Sequence, residues 1–167
     1  MIGLIKKIKD ARSQNTTYRV GLLQAKAFRI LKQNTSSALS DLTGELKIST
    51  VEWALLGLLK DSKDGIRVSD LATNLGVEMP FITEMAPKLI KAGLISQTQS
   101  SKDKRVKIAL LTPKGEAFVD KTEVHLRAKM KPLLEGASIN EILGYLTVLQ
   151  RIVKNSEESK LNKIKSD

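Results

Sequence analysis

Three consecutive pieces decide the fold: VSDLATNLG (Val68–Gly76), VEMPFITEMAPKLIKAG (Val77–Gly93) and LISQTQSSKDKRVKIALLTPKG (Leu94–Gly115). In the first, Ser69 stands where a side chain caps a helix, Leu71, Ala72 and Leu75 fall on one side of it, and Gly76 stops it. In the second, Phe81, Ile82, Met85, Leu89 and Ile90 recur at helical spacing, Pro80 suits a first turn and Gly93 ends the run. In the third, Val106, Ile108 and Leu110 alternate with Arg105, Lys107 and Ala109, after a partner run from Leu94 to Thr98 and a polar, charged tip from Ser100 to Lys104. Helix, turn, helix and basic hairpin in this order predict a winged helix-turn-helix, whose second helix is the element able to enter a major groove.

Outward on the N-terminal side, Ser49-Thr-Val-Glu52 has the spacing of a capping box and opens an apolar helix through Leu59. Asp61 to Gly65 reads as a turn, and Ile66 to Val68 as a strand stub that pairs with the hairpin. Asn34 to Ile48, rich in Ser and Thr and containing Gly44, reads as a connection. From Thr17 to about Leu39 the pattern is helical and apolar on two sides, with Tyr18, Leu22, Ala25 and Phe28 on one and Val20, Leu23, Ala27, Ile30 and Leu31 on the other. Such a helix needs two neighbours, its own domain and a second subunit. Met1 to Arg12 is a short basic amphipathic lead-in.

On the C-terminal side, Thr112-Pro113 opens a helix expected to reach about Lys131, ahead of Pro132. Ser138-Ile-Asn-Glu141 is a second capping box, followed by a stripe of Ile142, Tyr145, Leu146, Leu149, Ile152 and Val153. A charged, frayed tail is expected past Asn155. The predicted fold class is mainly α with a small β-hairpin wing. Residues 49–115 are expected to form the DNA-binding part of a single domain, and 1–48 with 116–167 its helical dimerisation part.

The 167 residues suffice for one domain with a real core. A formal net charge of +10 favours a polyanionic partner, because each cation placed on a phosphate releases counterions. The candidate reading head carries much of it: from Met79 to Leu110, Lys88, Lys91, Lys102, Lys104, Arg105 and Lys107 stand against only Glu84 and Asp103. With no cysteine, disulfides and thiolate metal sites are excluded. Six aromatic residues are too few for a stacking platform on single strands. The longest apolar run, Trp53 to Leu59, is too short to span a bilayer and no secretory pattern opens the chain, so a cytoplasmic protein without a membrane partner is expected. Catalysis finds no triad, phosphate loop, paired carboxylates or metal spacing; His125, the sole histidine, reads as structural, and neither an enzyme nor a cofactor is expected.

From Leu71 to Gly115 the chain resembles the multiple antibiotic resistance regulator (MarR) family of winged-helix transcription factors. The shared pattern is Leu71-Ala-x-x-Leu-Gly-Val77, Pro80, Leu89-Ile-Lys-Ala-Gly-Leu-Ile95, Asp103-Lys-Arg105 and Leu111-Thr-Pro-Lys-Gly115. The resemblance implies a homodimer with interlocked terminal helices, binding a pseudo-palindromic duplex and usually acting as a repressor released by a small-molecule effector. Met79 to Lys91 would be the recognition helix, with Phe81, Thr83 and Glu84 in its groove-facing early part. Arg105 matches the wing arginine that enters the minor groove and Asp103 the carboxylate that orients it, a fitting pairing because a narrow minor groove concentrates negative potential. Ser69 and Ser101 would contact phosphates, Lys88 and Lys91 would position the backbone, and Lys102 and Lys104 belong to the basic tip.

Two positions depart from the family pattern. Glu84 stands where a basic residue is common, and it would repel phosphates unless it reads a cytosine amino group or pairs with Lys88 at i+4. Pro87 falls inside the recognition helix, removes an amide and crowds the Thr83 carbonyl, so a kink or early break near residue 84 is expected. Both leave open an alternative, a winged-helix protein-interaction module without specific DNA binding.

Overall fold

The computed structural model describes residues 14–166, so the lead-in Met1 to Arg12 lies outside the described residues. The chain forms two units, Met1–Met130 and Lys131–Asp167.

In the first unit, α1 (Gln14–Thr43) leads through a 3₁₀ turn (Gly44–Leu46) to α2 (Thr50–Lys60). Then follow β1 (Ile66–Arg67), α3 (Val68–Leu75), α4 (Met79–Lys91), β2 (Ile95–Gln99), β3 (Lys107–Leu111) and α5 (Pro113–Met130). The three strands form an antiparallel sheet in the order β1-β3-β2, with Ile66 opposite Ala109 and Ile95 opposite Leu111, so the expected strand stub does pair with the hairpin. The core gathers Leu55, Leu56 and Leu59 of α2, Leu71 of α3, Ile82 and Leu89 of α4 and Val119 of α5, with Leu39 from the end of α1. At about 25 cal/mol per Å² of buried apolar area, this shared burial sets where each helix lies.

Several local signals act as expected. Ser49 accepts from the Glu52 amide while the Glu52 carboxylate accepts from the Ser49 amide, a full capping box. Gly76 takes φ 64° at the end of α3. Thr112 caps α5, its Oγ1 accepting from the Gly115 amide and donating to the Gly93 carbonyl. Gly115 packs so closely on the wing that a Cβ there would lie 2.1 Å from the Leu94 carbonyl oxygen, which explains a glycine inside a first turn.

Four expectations are corrected. The Ser- and Thr-rich stretch after Asn34 is helix, not connection: α1 runs to Thr43, and the Asn34 amide and Thr35 hydroxyl bond back to the carbonyls of Ile30 and Leu31. Burial of Ala38 and Leu39 holds that end in place. Ser69 does not cap α3; Arg67 is the residue before it, and the Ser69 hydroxyl donates to Asp70 Oδ1. Of the kink or early break expected near residue 84, the break does not occur: α4 continues through Pro87 to Lys91. Proline inside a helix costs about 3 kcal/mol, yet Ile82, Met85 and Leu89 are buried on both sides of it, each contributing about 1.5–3 kcal/mol. In β3, the middle strand, the one fully buried residue is Ala109, from the row opposite Val106, Ile108 and Leu110.

In the second unit a 3₁₀ turn (Lys131–Leu134) precedes α6 (Ile139–Ser166), which continues well past Asn155, where a frayed tail was expected. Its capping box forms: Glu141 Oε2 accepts from the Ser138 amide and Ser138 Oγ from the Glu141 amide. Leu143, Tyr145, Leu146, Ile152 and Val153 of α6 are exposed. The first half of α1 likewise exposes Tyr18, Val20, Leu23 and Phe28. Among the described residues no helix is long and apolar enough to cross a membrane.

Candidate nucleic-acid interface

The turn at Gly76 sets α3 against α4, and the hairpin follows α4 directly through Gly93, at φ 72°. Both faces of this arrangement come from sequence period. Ile82, Met85, Ala86 and Leu89 bury one side of α4, which leaves Met79, Phe81, Thr83, Glu84 and Lys91 exposed on the other. Phe81 and Met79 are each 43% exposed, unusual for side chains of their size.

A groove of about 300 Å³ lies between helix-turn-helix and wing, lined by Val68, Ser69, Met79, Thr83, Arg105, Val106 and Lys107. It brings together Ser69, Thr83 and Arg105, three residues singled out from sequence on three different elements. It also holds Met79 and Lys107, which that selection left out. Lys107 was visible only as part of a basic run, and Met79 only as the start of the second helix. The Thr83 hydroxyl donates to the Met79 carbonyl, so its outward side offers a methyl group and an acceptor.

At the hairpin tip Ser101, Lys102, Asp103, Lys104 and Arg105 are all exposed. Asp103 orients its neighbour through the main chain: Oδ1 accepts from the Arg105 amide at 2.9 Å, and the Asp103 carbonyl accepts from the Val106 amide. The wing turn is therefore shaped by a carboxylate while the Arg105 guanidinium projects without an ion pair among the described residues.

Lys88 is placed differently from the expectation. Its ammonium lies 2.8 Å from Glu52 Oε1 and donates to the Lys47 carbonyl at 2.9 Å. The i+4 pair with Glu84 does not form, and Glu84 has no ion pair among the described residues. Glu52 is 4% exposed. Burial works to raise its carboxyl, but hydrogen bonds from Lys88, from the Ser49 amide and from the Ser49 hydroxyl outweigh it and hold the group below the usual carboxylate range.

Farther from the groove, Asp41 of α1 pairs with the Lys129 ammonium of α5 at 3.2 Å and stands 3.8 Å from His125 Nε2, beyond hydrogen-bond reach. His125 Nε2 and Trp53 Nε1 are buried without hydrogen-bond partners among the described residues.

Two short helices set by a glycine turn, a basic wing and a groove between them define a winged helix-turn-helix protein. Within that class, residues 48–107 match the model of the MarR family. A MarR-family transcriptional regulator from Rhodococcus sp. RHA1 superposes with a TM-score of 0.73 at 19% identity, covering 84% of this chain and 96% of that one. The transcriptional regulator PA3341 is 28% identical with a TM-score of 0.68, over 83% of this chain and 98% of that one. CouR from Rhodococcus jostii RHA1, solved bound to p-coumaroyl-CoA, has a TM-score of 0.70 at 19% identity, covering 80% of this chain and 90% of that one.

Proposed function

We propose that the chain is a cytoplasmic, homodimeric DNA-binding regulator, a repressor of a pseudo-palindromic operator released by a small molecule. The observation that carries it is the groove in which Ser69 of α3, Thr83 of α4 and Arg105 of the wing converge beside Lys107. Ser69 and Ser101 contact phosphates, Lys91, Lys102 and Lys104 position the backbone, and Arg105 enters the minor groove. Lys88 acts from inside, through Glu52, rather than on phosphate.

Dimerisation through residues 1–48 and 116–167 is supported by the apolar side chains that α1 and α6 each leave exposed, an extent uncommon in monomers. A small-molecule effector is supported by the buried, unpartnered Trp53 Nε1 and His125 Nε2, and by CouR, a fold relative solved with an acyl-CoA. The test is fluorescence anisotropy on random duplex across a salt series. We expect log affinity to fall linearly with log salt by about 0.9 per phosphate contact. A flat response at low salt refutes DNA binding.

One observation favours a second reading, a protein-interaction module: Glu84 is exposed on α4 and has no ion pair among the described residues. If wild type ignores duplex while Glu84→Arg binds it, that reading replaces the first.

A further inference from the structure

Resting on the DNA-binding reading, we infer that α4 selects its half-site by thymine methyl groups and a cytosine amino group, with Phe81 and Met79 on the former and Glu84 on the latter. The exposed side of α4 is poor in donors. Phe81 and Met79 leave 43% of their surface open there, although the same helix buries Ile82, Met85 and Leu89. The base-edge feature that rewards an apolar contact in a major groove is the C5 methyl of thymine.

Glu84 adds the opposite chemistry. An ionised carboxylate only accepts hydrogen bonds, so guanine N7 and O6 and thymine O4 repel it; adenine offers its N6 amino group but sets the N7 acceptor beside it, whereas cytosine presents the N4 amino donor alone. The intramolecular cation that would have neutralised it is engaged elsewhere, since Lys88 is bound by Glu52 and the Lys47 carbonyl. Glu84 therefore weakens binding to most sequences and spares those that present cytosine, which is discrimination by repulsion. Phe81 and Glu84 are three residues apart on one face, about 4.5 Å along the axis, against about 3.4 Å between bases of one strand. The two contacts fall on neighbouring base pairs, so a thymine and a cytosine stand side by side in the half-site.

The experiment is selection of bound duplexes from a random pool by full-length wild type, Glu84→Gln and Phe81→Ala, followed by titration of the selected site with deoxyuridine in place of each thymine. We expect wild type to select adjacent thymine and cytosine. Glu84→Gln should exchange cytosine for adenine, the base whose N6 and N7 suit an amide. One deoxyuridine should weaken wild type by about fourfold, the worth of one buried methyl, and at the thymine that Phe81 contacts it should leave Phe81→Ala unchanged. Deoxyuridine needs no altered protein, so its outcome does not depend on how a variant folds. Identical selections by wild type and Glu84→Gln, or wild-type indifference to every deoxyuridine, overturn the inference while leaving DNA binding intact. Failure of wild type to enrich any duplex at low salt overturns the DNA-binding reading and this inference with it.

Discussion

The same four-residue device opens a helix in each unit. Ser49 to Glu52 and Ser138 to Glu141 close nearly identical reciprocal bonds, 2.7 and 3.2 Å in the first and 2.8 and 3.3 Å in the second. Their surroundings differ completely: Glu52 is buried and takes the Lys88 ammonium from α4, whereas Glu141 is exposed and bonds, among the described residues, to Ser138 alone. A local motif thus settles where a helix begins, while burial decides whether its carboxylate also carries tertiary structure. In the first unit it does, tying the start of α2, the Lys47 carbonyl ahead of it and the middle of α4 into one knot.

The largest effect should come from Lys88→Met, which strands the Glu52 carboxylate in a site where its side chain is only 5% exposed. Breaking a fully buried pair costs about 3–5 kcal/mol. Lys88 is itself 37% exposed and partly screened, so about 2–3 kcal/mol is expected at neutral pH by urea denaturation. A loss no greater than that of an ordinary surface substitution would show that the knot holds nothing.

Glu52→Gln keeps the shape and removes the charge, so a smaller loss of about 1–2 kcal/mol is expected at pH 7. Its sharper signature is in pH. The folded-state carboxyl lies below its ordinary value of 4.5, so the unfolded chain binds the proton first. The contribution is complete above that ordinary value and disappears as pH falls through the folded one. Denaturation midpoints of wild type should therefore drop toward those of Glu52→Gln as the solution is acidified. A constant gap between the two would contradict the assignment.

The contrast also explains what the sequence discloses. The helix-turn-helix and wing were legible because Leu71, Ile82, Met85 and Leu89 keep strict helical period and Gly76 marks the one left-handed turn between the helices. Ser69, Thr83 and Arg105 could be chosen because the resemblance to a known family assigns each of these positions a place on one surface. The partner of Lys88 could not be read, since Glu52 stands 36 residues away and a nearer carboxylate, Glu84, offered a local alternative. Pro87 and the polar end of α1 misled for a related reason: propensity speaks for a few residues, whereas burial of Leu89 or Leu39 is decided by the whole unit. Met79 escaped notice because exposure is a property of the packed neighbours.

The smallest effect belongs to the second box, and its size is informative. Glu141 is held below the ordinary carboxylate range by hydrogen bonds from the Ser138 amide and hydroxyl, with burial opposing only slightly. Water can replace those bonds when the side chain is removed, so Glu141→Ala should leave the global melting temperature within the scatter of repeat measurements. The loss should appear instead as faster hydrogen exchange of the first amides of α6, because an uncapped exposed terminus opens locally without unfolding the rest. Ser49→Ala, made in the buried box, should lower the melting temperature measurably, with about 1 kcal/mol lost. Equal global shifts for the two substitutions would mean that the cap itself, and not what it is buried against, sets the energy.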